Sequence, residues 1–415
     1  MLYNYIKDYL IESDLIMKVI IIGGGISGVF CAIELARRGN KVVILEKKDR
    51  ILKKMLVTGN GRCNLTNMEL SSDKYFEKKE FVSNAIEKFS NIDFINYLNT
   101  IGIYTTIENV NRVYPITLKA QSVVKELLDE LYDLGVEIFC NNSVISIEKE
   151  NKFVVKTNEC SYESDKVVFA VGGSSTPNLG SDGKSYKVLE KLGHRITKIM
   201  PALTQIKLNS KYLKHLSGVK VVGNVKLING KNVVEEDFGE ILFTDYGVSG
   251  PPILNISRKV NFYKKGLKIK LSIINNVDDL SLMKNELYNR YYMLSHFDLD
   301  RWLSGIVDKK FIYYITDILG MKKETSLNII DSSEFERLIN ILLESEFEVL
   351  GNRGFENSQV SVGGVATDDI DEKSFESKIL DGLYVIGEVL DVDGMCGGYN
   401  IQWAVSSAMQ AARSM

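Results

Sequence analysis

MKVIIIGGGISGVFCAIELARRGNKVVILE, Met17–Glu46, is the stretch whose reading decides the fold. Val19 to Ile22 is a β-branched apolar run, short enough for a buried parallel strand, and it stops at glycines. Beyond the glycines, Val29, Ala32, Ile33 and Ala36 share one helical face, Arg37 and Arg38 occupy the last turn where the helix dipole favours cations, and Gly39 suits a C-terminal cap. Val42 to Leu45 then reads as the second strand of a βαβ unit. Between strand and helix stands Gly23-Gly24-Gly25-Ile26-Ser27-Gly28, a G-x-G-x-x-G. Gly23 makes the tight turn, Gly25 lets backbone N–H groups approach a pyrophosphate at the helix N-terminus, and Gly28 lets helix and strand pack closely. Glu46 closes the second strand roughly 20 residues on, where an acid can accept from ribose hydroxyls. Gly23, Gly25, Ser27, Gly28, Glu46 and the adjoining Lys47 are therefore candidate dinucleotide-binding residues.

A chain of 415 residues exceeds one ordinary core, so two or three packed units are expected. With 45% hydrophobic and 25% charged residues the proportions are globular, and a net charge of -3 supplies no overall pull towards nucleic acid or anionic membrane. The five cysteines, Cys31, Cys63, Cys140, Cys160 and Cys396, are scattered without a C-x-x-C pair, which argues against a disulfide framework or a metal site and points to the cytoplasm. Glycines and charges interrupt the apolar stretch from Ile16 to Ala36, so it is not read as a membrane or signal segment. Residues 1–16 have no place in the first strand and read as an N-terminal extension, or as the product of a misassigned start before Met17.

Helical spacing recurs over Asp93–Ile103 and Ala120–Leu134, with strands at Val144–Ile147, Phe153–Lys156 and Lys166–Val171. Beyond Pro201 the pattern changes to short strands without intervening helices, at Leu203–Leu208, Val219–Leu227, Glu240–Thr244 and Leu267–Ile273, which predicts an antiparallel sheet or small barrel. Residues 276–345 have helical spacing throughout. The expected organisation is a nucleotide-binding domain from 17–195 and 364–415, a barrel-like part from 196–275 and 346–363, and a helical subdomain from 276–345.

The choice of cofactor rests on the other end of the chain. Gly387-Glu388 follows the strand Leu383–Ile386, and Gly397-Gly398-Tyr399-Asn400-Ile401-Gln402 opens a helix. An acid after a late strand and a glycine-rich helix start suit the ribitol and ring of a flavin, so FAD is expected and Gly387, Glu388, Gly398, Tyr399, Asn400 and Ile401 are assigned to it; a plain turn and helix cap is the alternative. Ala170 and Gly172, in a turn after an apolar strand, and Val144, on a strand able to pass the adenine, are weaker cofactor candidates that purely structural roles would equally explain.

Thr58 to Asn67, TGNGRCNLTN, carries two glycines, a cation and five amide or hydroxyl side chains, and reads as a ligand-wrapping loop. Gly59 and Arg62 are candidates there, Arg62 as a partner for pyrophosphate or a substrate anion, while Asn60, Asn64 and Asn67 can be ordinary turn residues. Cys63 beside Arg62 is a candidate nucleophile or proton donor, against the ordinary role of a buried thiol. His194, His215 and His296 all lie outside these loops, which leaves general-acid chemistry to Tyr399, Cys63, Arg62, a lysine such as Lys54, or water. Tyr399, Cys63 and Arg62 are the catalytic candidates.

On TGNGRCNLTN (Thr58–Asn67), FTDYGVSGPP (Phe243–Pro252), VGGV (Val362–Val365) and GLYVIGEVLDVDGMCGGYNIQWA (Gly382–Ala404), the chain resembles the BaiN/RdsA (YhiN-type) family of NAD(P)/FAD-dependent oxidoreductases over nearly its whole length from Met17. The resemblance implies an α/β fold: a Rossmann-type FAD-binding domain of the two-dinucleotide-fingerprint kind, interrupted by a β-barrel-like and helical insertion. It also implies hydride delivery from flavin N5 to an activated C=C bond, either in a small enone such as an unsaturated bile-acid intermediate or in uridine of large-subunit ribosomal RNA. Asp245 and Cys396 stand where the family often has histidine and threonine. Two other readings are kept: a flavin amine oxidase, and an FAD-binding protein whose insertion binds a partner. Only one complete G-x-G-x-x-G is present, so NAD(P)H is expected at most as a transient reductant on the substrate side of the flavin, with another protein as the alternative electron source. Small-molecule and RNA substrates stay open, as does the oligomeric state, and no membrane partner is expected. An RNA substrate would need a basic groove, for which Lys207, Lys211, Lys214, Lys220, Arg258, Lys259, Lys264 and Lys265 are available.

Overall fold

The structure is a computed structural model and describes residues 16–76, 78–108, 111–277 and 279–415. The expected extension, apart from Ile16, lies outside the described residues. Two compact units are formed, one from residues up to 200 together with 360–415, the other from 201–359.

The first unit is built on a parallel sheet of five strands: β1 (Lys18–Ile22), β2 (Lys41–Leu45), β3 (Glu137–Phe139), β4 (Lys166–Phe169) and β5 (Leu383–Val385). They lie side by side in the order β5-β4-β1-β2-β3. Central β1 is covered on both faces, which is why Val19 to Ile22 is a continuous apolar run rather than an alternating one. Helix α1 (Ile26–Arg37) connects β1 to β2, with Arg37 in its last turn and the chain reversing at Gly39. Helix α2 (Tyr399–Ser414) packs along α1. Beside these helices Phe30, Phe89, Phe94 and Tyr97 meet edge-on or tilted, with ring centroids 5.4–6.5 Å apart. Such pairs add about 0.5–1.5 kcal/mol each beyond the apolar area they remove from water.

The second unit contains a closed six-stranded barrel of Ile206–Asn209, Gly247–Ser249, Asn232–Thr244, Lys220–Asn229, Leu267–Leu271 and Ser345–Asn352, in that spatial order. Antiparallel pairing of the first with the last closes it, with Leu208 opposite Val349. Residues 201–275 were expected to hold strands without helices, but Pro251–Val260 is an α-helix. The Pro251-Pro252 pair hides it from strand and helix readings alike, although proline suits a first turn and Ile253, Ile256 and Val260 have helical spacing. Between the last two barrel strands in sequence lie helices Leu280–Met293, Leu299–Ser304, Lys309–Leu319 and Ser332–Glu344. Each starts after an aspartate whose side chain accepts from first-turn N–H groups: Asp279, Asp298, Asp308 and Asp331.

The strand-to-helix turn of the first unit tolerates no side chain at two of its glycines. Gly23 has φ +107°, and a Cβ there would lie 2.5 Å from the Ala170 carbonyl oxygen; one on Gly28 would lie 2.0 Å from that of Gly23. A Cβ on Gly25 meets nothing within 4 Å. Gly28→Ala is therefore expected to lose about 1–3 kcal/mol of stability, the usual cost of overpacking. Gly25→Ala is expected to change it little. Denaturant unfolding of the two variants beside the parent chain checks the contrast, and equal losses would contradict it.

Candidate active site

The glycine-rich turn forms one end of the site. Gly25, with φ -77°, caps α1 without a side-chain bond, and a Cβ there would meet nothing within 4 Å. At the end of β2, Glu46 accepts from Gly24 N–H through one carboxylate oxygen and from Lys48 N–H through the other, both at 2.8 Å, so each oxygen keeps a lone pair for a ligand hydroxyl. Asn142 N–H donates to the Glu46 carbonyl at 2.9 Å, which brings the approach to Val144 beside Glu46. Val144 itself starts the strand Val144–Lys149 and packs against the core. Lys47 pairs with Asp182 at 2.5 Å. Ala170 N–H donates to Ile22 at 2.8 Å, and Gly172, with φ +74°, turns the chain away beneath Ser181.

A second cluster joins residues far apart in sequence. Lys54 donates to Glu388 at 2.8 Å and to the Ser175 hydroxyl at 2.7 Å, while Ser175 donates to the other Glu388 oxygen at 2.8 Å. The Ser361 N–H adds a contact to the same oxygen at 3.1 Å. A Cβ on Gly173 would come within 2.8 Å of Glu388, so only glycine lets this carboxylate settle against the turn. Gly387 fits against Ser27, and Trp403 donates to its carbonyl at 3.1 Å.

The third element is the loop Thr58–Asn67 with the start of α2. Thr66 donates to Gln402 at 2.6 Å, and Asn67 donates to the Gly397 carbonyl at 3.1 Å. With its amide turned to suit its neighbours, Asn64 accepts from Gly398 N–H at 3.1 Å. Gly398, at φ +101°, lies so close to Thr66 that a Cβ would be 2.5 Å from its carbonyl. Asn400 does not point outward; it clamps the preceding turn through Gly394 at 2.9 Å, while Ile401 is half-buried in the first helical turn. Asn64 and Asn67 thus serve the architecture that presents α2.

The catalytic candidates fall in three different environments. Arg62 pairs with Glu108 and lies 4.6 Å from the Tyr114 ring centroid, so its charge is already answered within the protein. Cys63 is fully buried, and burial pushes its thiol up to about 12, which leaves almost no thiolate at neutral pH. The Tyr399 hydroxyl makes no hydrogen bond among the described residues. Burial, then the Glu69 carboxylate, raise it to about 12, Arg112 pulling the other way, so it is a protonated donor across the physiological range. Glu69, Arg112, Ser175 and Ser361 were not anticipated, because no motif spacing ties them to the glycine-rich segments. The histidines stay apart from this cluster: His194 bonds Ser377 at 2.8 Å, His215 meets the Tyr313 ring and His296 the Phe297 ring. Cys396, half-buried beside Gly397, contributes a further repulsion to Tyr399 ionisation.

An open helix N-terminus, an acid at the end of the second strand and a distant acid beside a second glycine-rich helix start together fit a dinucleotide carrying a flavin. Fold and site define an FAD-dependent oxidoreductase of the Rossmann type. The chain belongs to the HI0933-like protein Rossmann domain family, whose model matches residues 17–414. It is similar to the 3-dehydro-bile acid delta(4,6)-reductase of Clostridium scindens, 33% identical over 96% of this chain and 98% of that one. It is also similar to the ribosomal RNA dihydrouridine synthase of Escherichia coli, 31% identical over 95% of this chain and 97% of the relative. Among solved structures, the 3-ketosteroid-delta4-(5alpha)-dehydrogenase of Rhodococcus jostii shares the fold at TM-score 0.50, with 14% identity and 98% of each chain covered. No helix among the described residues is long and apolar enough to cross a membrane.

The two raised groups make a signed prediction. Both Cys63 and Tyr399 have folded values above their ordinary ones of 9.0 and 10.0. The unfolded chain therefore loses these protons first, and their contribution to stability is complete below pH 9 and is lost as pH rises towards about 12. Unfolding between pH 8 and 11 is expected to show this decline, with a smaller slope in Cys63→Ala. In the folded protein Cys160, which is exposed, is expected to react with a thiol reagent at pH 8 and Cys63 only after unfolding; fast native labelling of Cys63 would refute its burial.

Proposed function

We propose that this chain reduces a C=C bond conjugated to a carbonyl group, with a small enone as substrate. The observation that carries the reading is end-to-end similarity to a reductase acting on an unsaturated steroid acid. FAD supplies hydride chemistry at N5 when bound. In this reading Gly23, Gly25, Ser27 and Gly28 present the turn and helix N-terminus to the pyrophosphate, while Glu46 takes the ribose, with Lys47 and Val144 beside the nucleotide end. Ala170, Gly172, Gly387 and Glu388 line the ribitol side, with Glu388 oriented by Lys54. Gly59, Gly398, Asn400 and Ile401 shape the ring end, and Tyr399 is the proton donor. NAD(P)H is proposed as the transient reductant. Cys63 and Arg62 receive no chemical step, since the first is a buried neutral thiol and the second is held by Glu108.

Part of the basic set that RNA would need is spent inside the protein. Of the basic residues available in the second unit, Lys211 pairs with Asp317 at 2.7 Å, Lys220 with Glu240 at 3.0 Å and Lys259 with Glu235 at 3.6 Å, and Arg258 is buried. Paired lysines release few counterions from a phosphate backbone, which weakens the main source of RNA affinity.

The reduced protein, mixed anaerobically with a cyclic enone and, separately, with unmodified large-subunit ribosomal RNA fragments, is expected to be reoxidised by the enone. Reoxidation by RNA alone, with dihydrouridine formed, would replace the small substrate by uridine. Hydrogen peroxide release with simple amines and no response to either acceptor would replace the reductase by an oxidase.

A further inference from the structure

Beyond its effect on Tyr399, Arg112 has no role in the site described above. It begins the strand Arg112–Pro115, directly opposite Asn67 in the antiparallel pair that carries the end of the ligand-wrapping loop. Asn67 bonds Gly397, and its neighbour Thr66 touches Gly398 and Gln402, so Arg112 stands across the strand pair from the residue that holds the start of α2. Arg37, Arg62, Arg195 and Arg413 each hold a carboxylate: Glu130, Glu108, Asp368 and Glu34. The guanidinium of Arg112, half-buried, has no hydrogen bond or ion pair among the described residues. The Tyr399 hydroxyl likewise has none, and Arg112 is near enough to oppose the effects of burial, Glu69 and Cys396 on its ionisation. Two carboxylates share the neighbourhood, Glu69, engaged by Asn111 at 2.7 Å, and Glu108, directly opposite Arg112 on the adjoining strand and engaged by Arg62, and neither bonds Arg112. A half-buried cation without a partner is costly to maintain, and its five donors are an obvious fit for an oxygen that gains negative charge.

We propose that Arg112 receives the carbonyl oxygen of the substrate, the electrophilic partner of the Tyr399 proton donor. This rests on the reading of the chain as a reductase of conjugated C=C bonds, and it names the chemical class that the site selects: an acceptor whose C=C is conjugated to an oxygen able to carry charge, as both enones and the uracil ring are. Bound flavin, when reduced, would supply the hydride that bonds to the carbon β to the carbonyl. The π pair of the C=C moves to make the enolate, with its charge on the oxygen held by the Arg112 guanidinium, which stays protonated. The α-carbon then takes the Tyr399 hydroxyl proton, and the tyrosinate recovers a proton from water.

The test uses flavin-loaded Arg112→Met and Arg112→Gln beside the parent protein. Each is reduced anaerobically and mixed with a cyclic enone and with an RNA fragment containing the unmodified uridine. Each oxidised form is also titrated with 4-nitrophenolate, an oxyanion mimic of the enolate, by flavin absorbance. Loss of the cation is expected to slow reoxidation by the effective acceptor by about 100-fold, as for removal of one oxyanion donor. A comparable weakening of 4-nitrophenolate binding is expected, with flavin content and reduction by dithionite unchanged. Parent-like reoxidation and phenolate binding in both variants would overturn the assignment of Arg112 and leave the reductase reading intact. Variants that no longer retain flavin would overturn it in favour of a cofactor-holding role. A parent protein inert to both acceptors would instead overturn the reductase reading on which the assignment rests.

Discussion

Parallel pairing of β4 with β5 is the contact on which the rest of the site depends. It joins Val167 to Leu383, Val168 to Tyr384 and Phe169 to Val385, and so returns the chain to the sheet that β1 began. Once β5 is in register, Glu388 falls beside the turn after β4, and the start of α2 falls against the loop that ends at Asn67. Non-local pairing of this kind must overcome the entropy of closing a long loop before its own bonds contribute, and buried apolar residues on both faces of the sheet supply what the backbone bonds alone would not.

The electrostatics follow from that juxtaposition. Lys54 and Glu388 lie 334 positions apart and bond directly, with Ser175 bonded to both and side chains about a fifth to a quarter exposed. An ion pair at that depth gives modest net stability. Its clearer effect is orientation, because the carboxylate accepts from Lys54, Ser175 and Ser361 and is held in one rotamer. The arginines divide by the same logic. Arg62 spends its charge on Glu108 and its plane on Tyr114, which stiffens the hairpin beneath the loop. Among the described residues Arg112 is left with its donors unengaged.

Within the second unit, the barrel removes the edge that an open antiparallel sheet would present, since its first and last strands pair with each other. Phe243, within the segment Phe243–Pro252, points into that unit's core, meeting Phe311 and Phe347 with ring centroids 5.4 and 5.8 Å apart. Its matching residue type therefore reflects packing as well as any contact with a ligand.

Local chemistry was legible in the sequence wherever one short segment carries both the constraint and its solution. The run Val19–Ile22, the turn Gly23–Gly28 and the acid Glu46 declare a βαβ nucleotide unit, because strand burial, close approach and ribose recognition each demand a residue type at a fixed offset. The glycine-rich start of α2 and the alternating strands of the barrel are legible for the same reason. Pro251–Val260 was missed because two prolines obscure its helical period. The sequence also offered Arg62, Cys63 and Tyr399 as candidates for chemistry, with Tyr399 foremost. Only the tertiary structure separated them, giving Arg62 a carboxylate, Cys63 complete burial and Tyr399 a hydroxyl unengaged among the described residues. Ser175, Ser361 and Arg112 carried no signal, and Lys54 only that of a candidate acid, since their partners are set by strand register and chain return. Whether a charged or acidic side chain is spent on the protein or kept for a ligand depends on what lies across from it in space, which residue spacing does not encode.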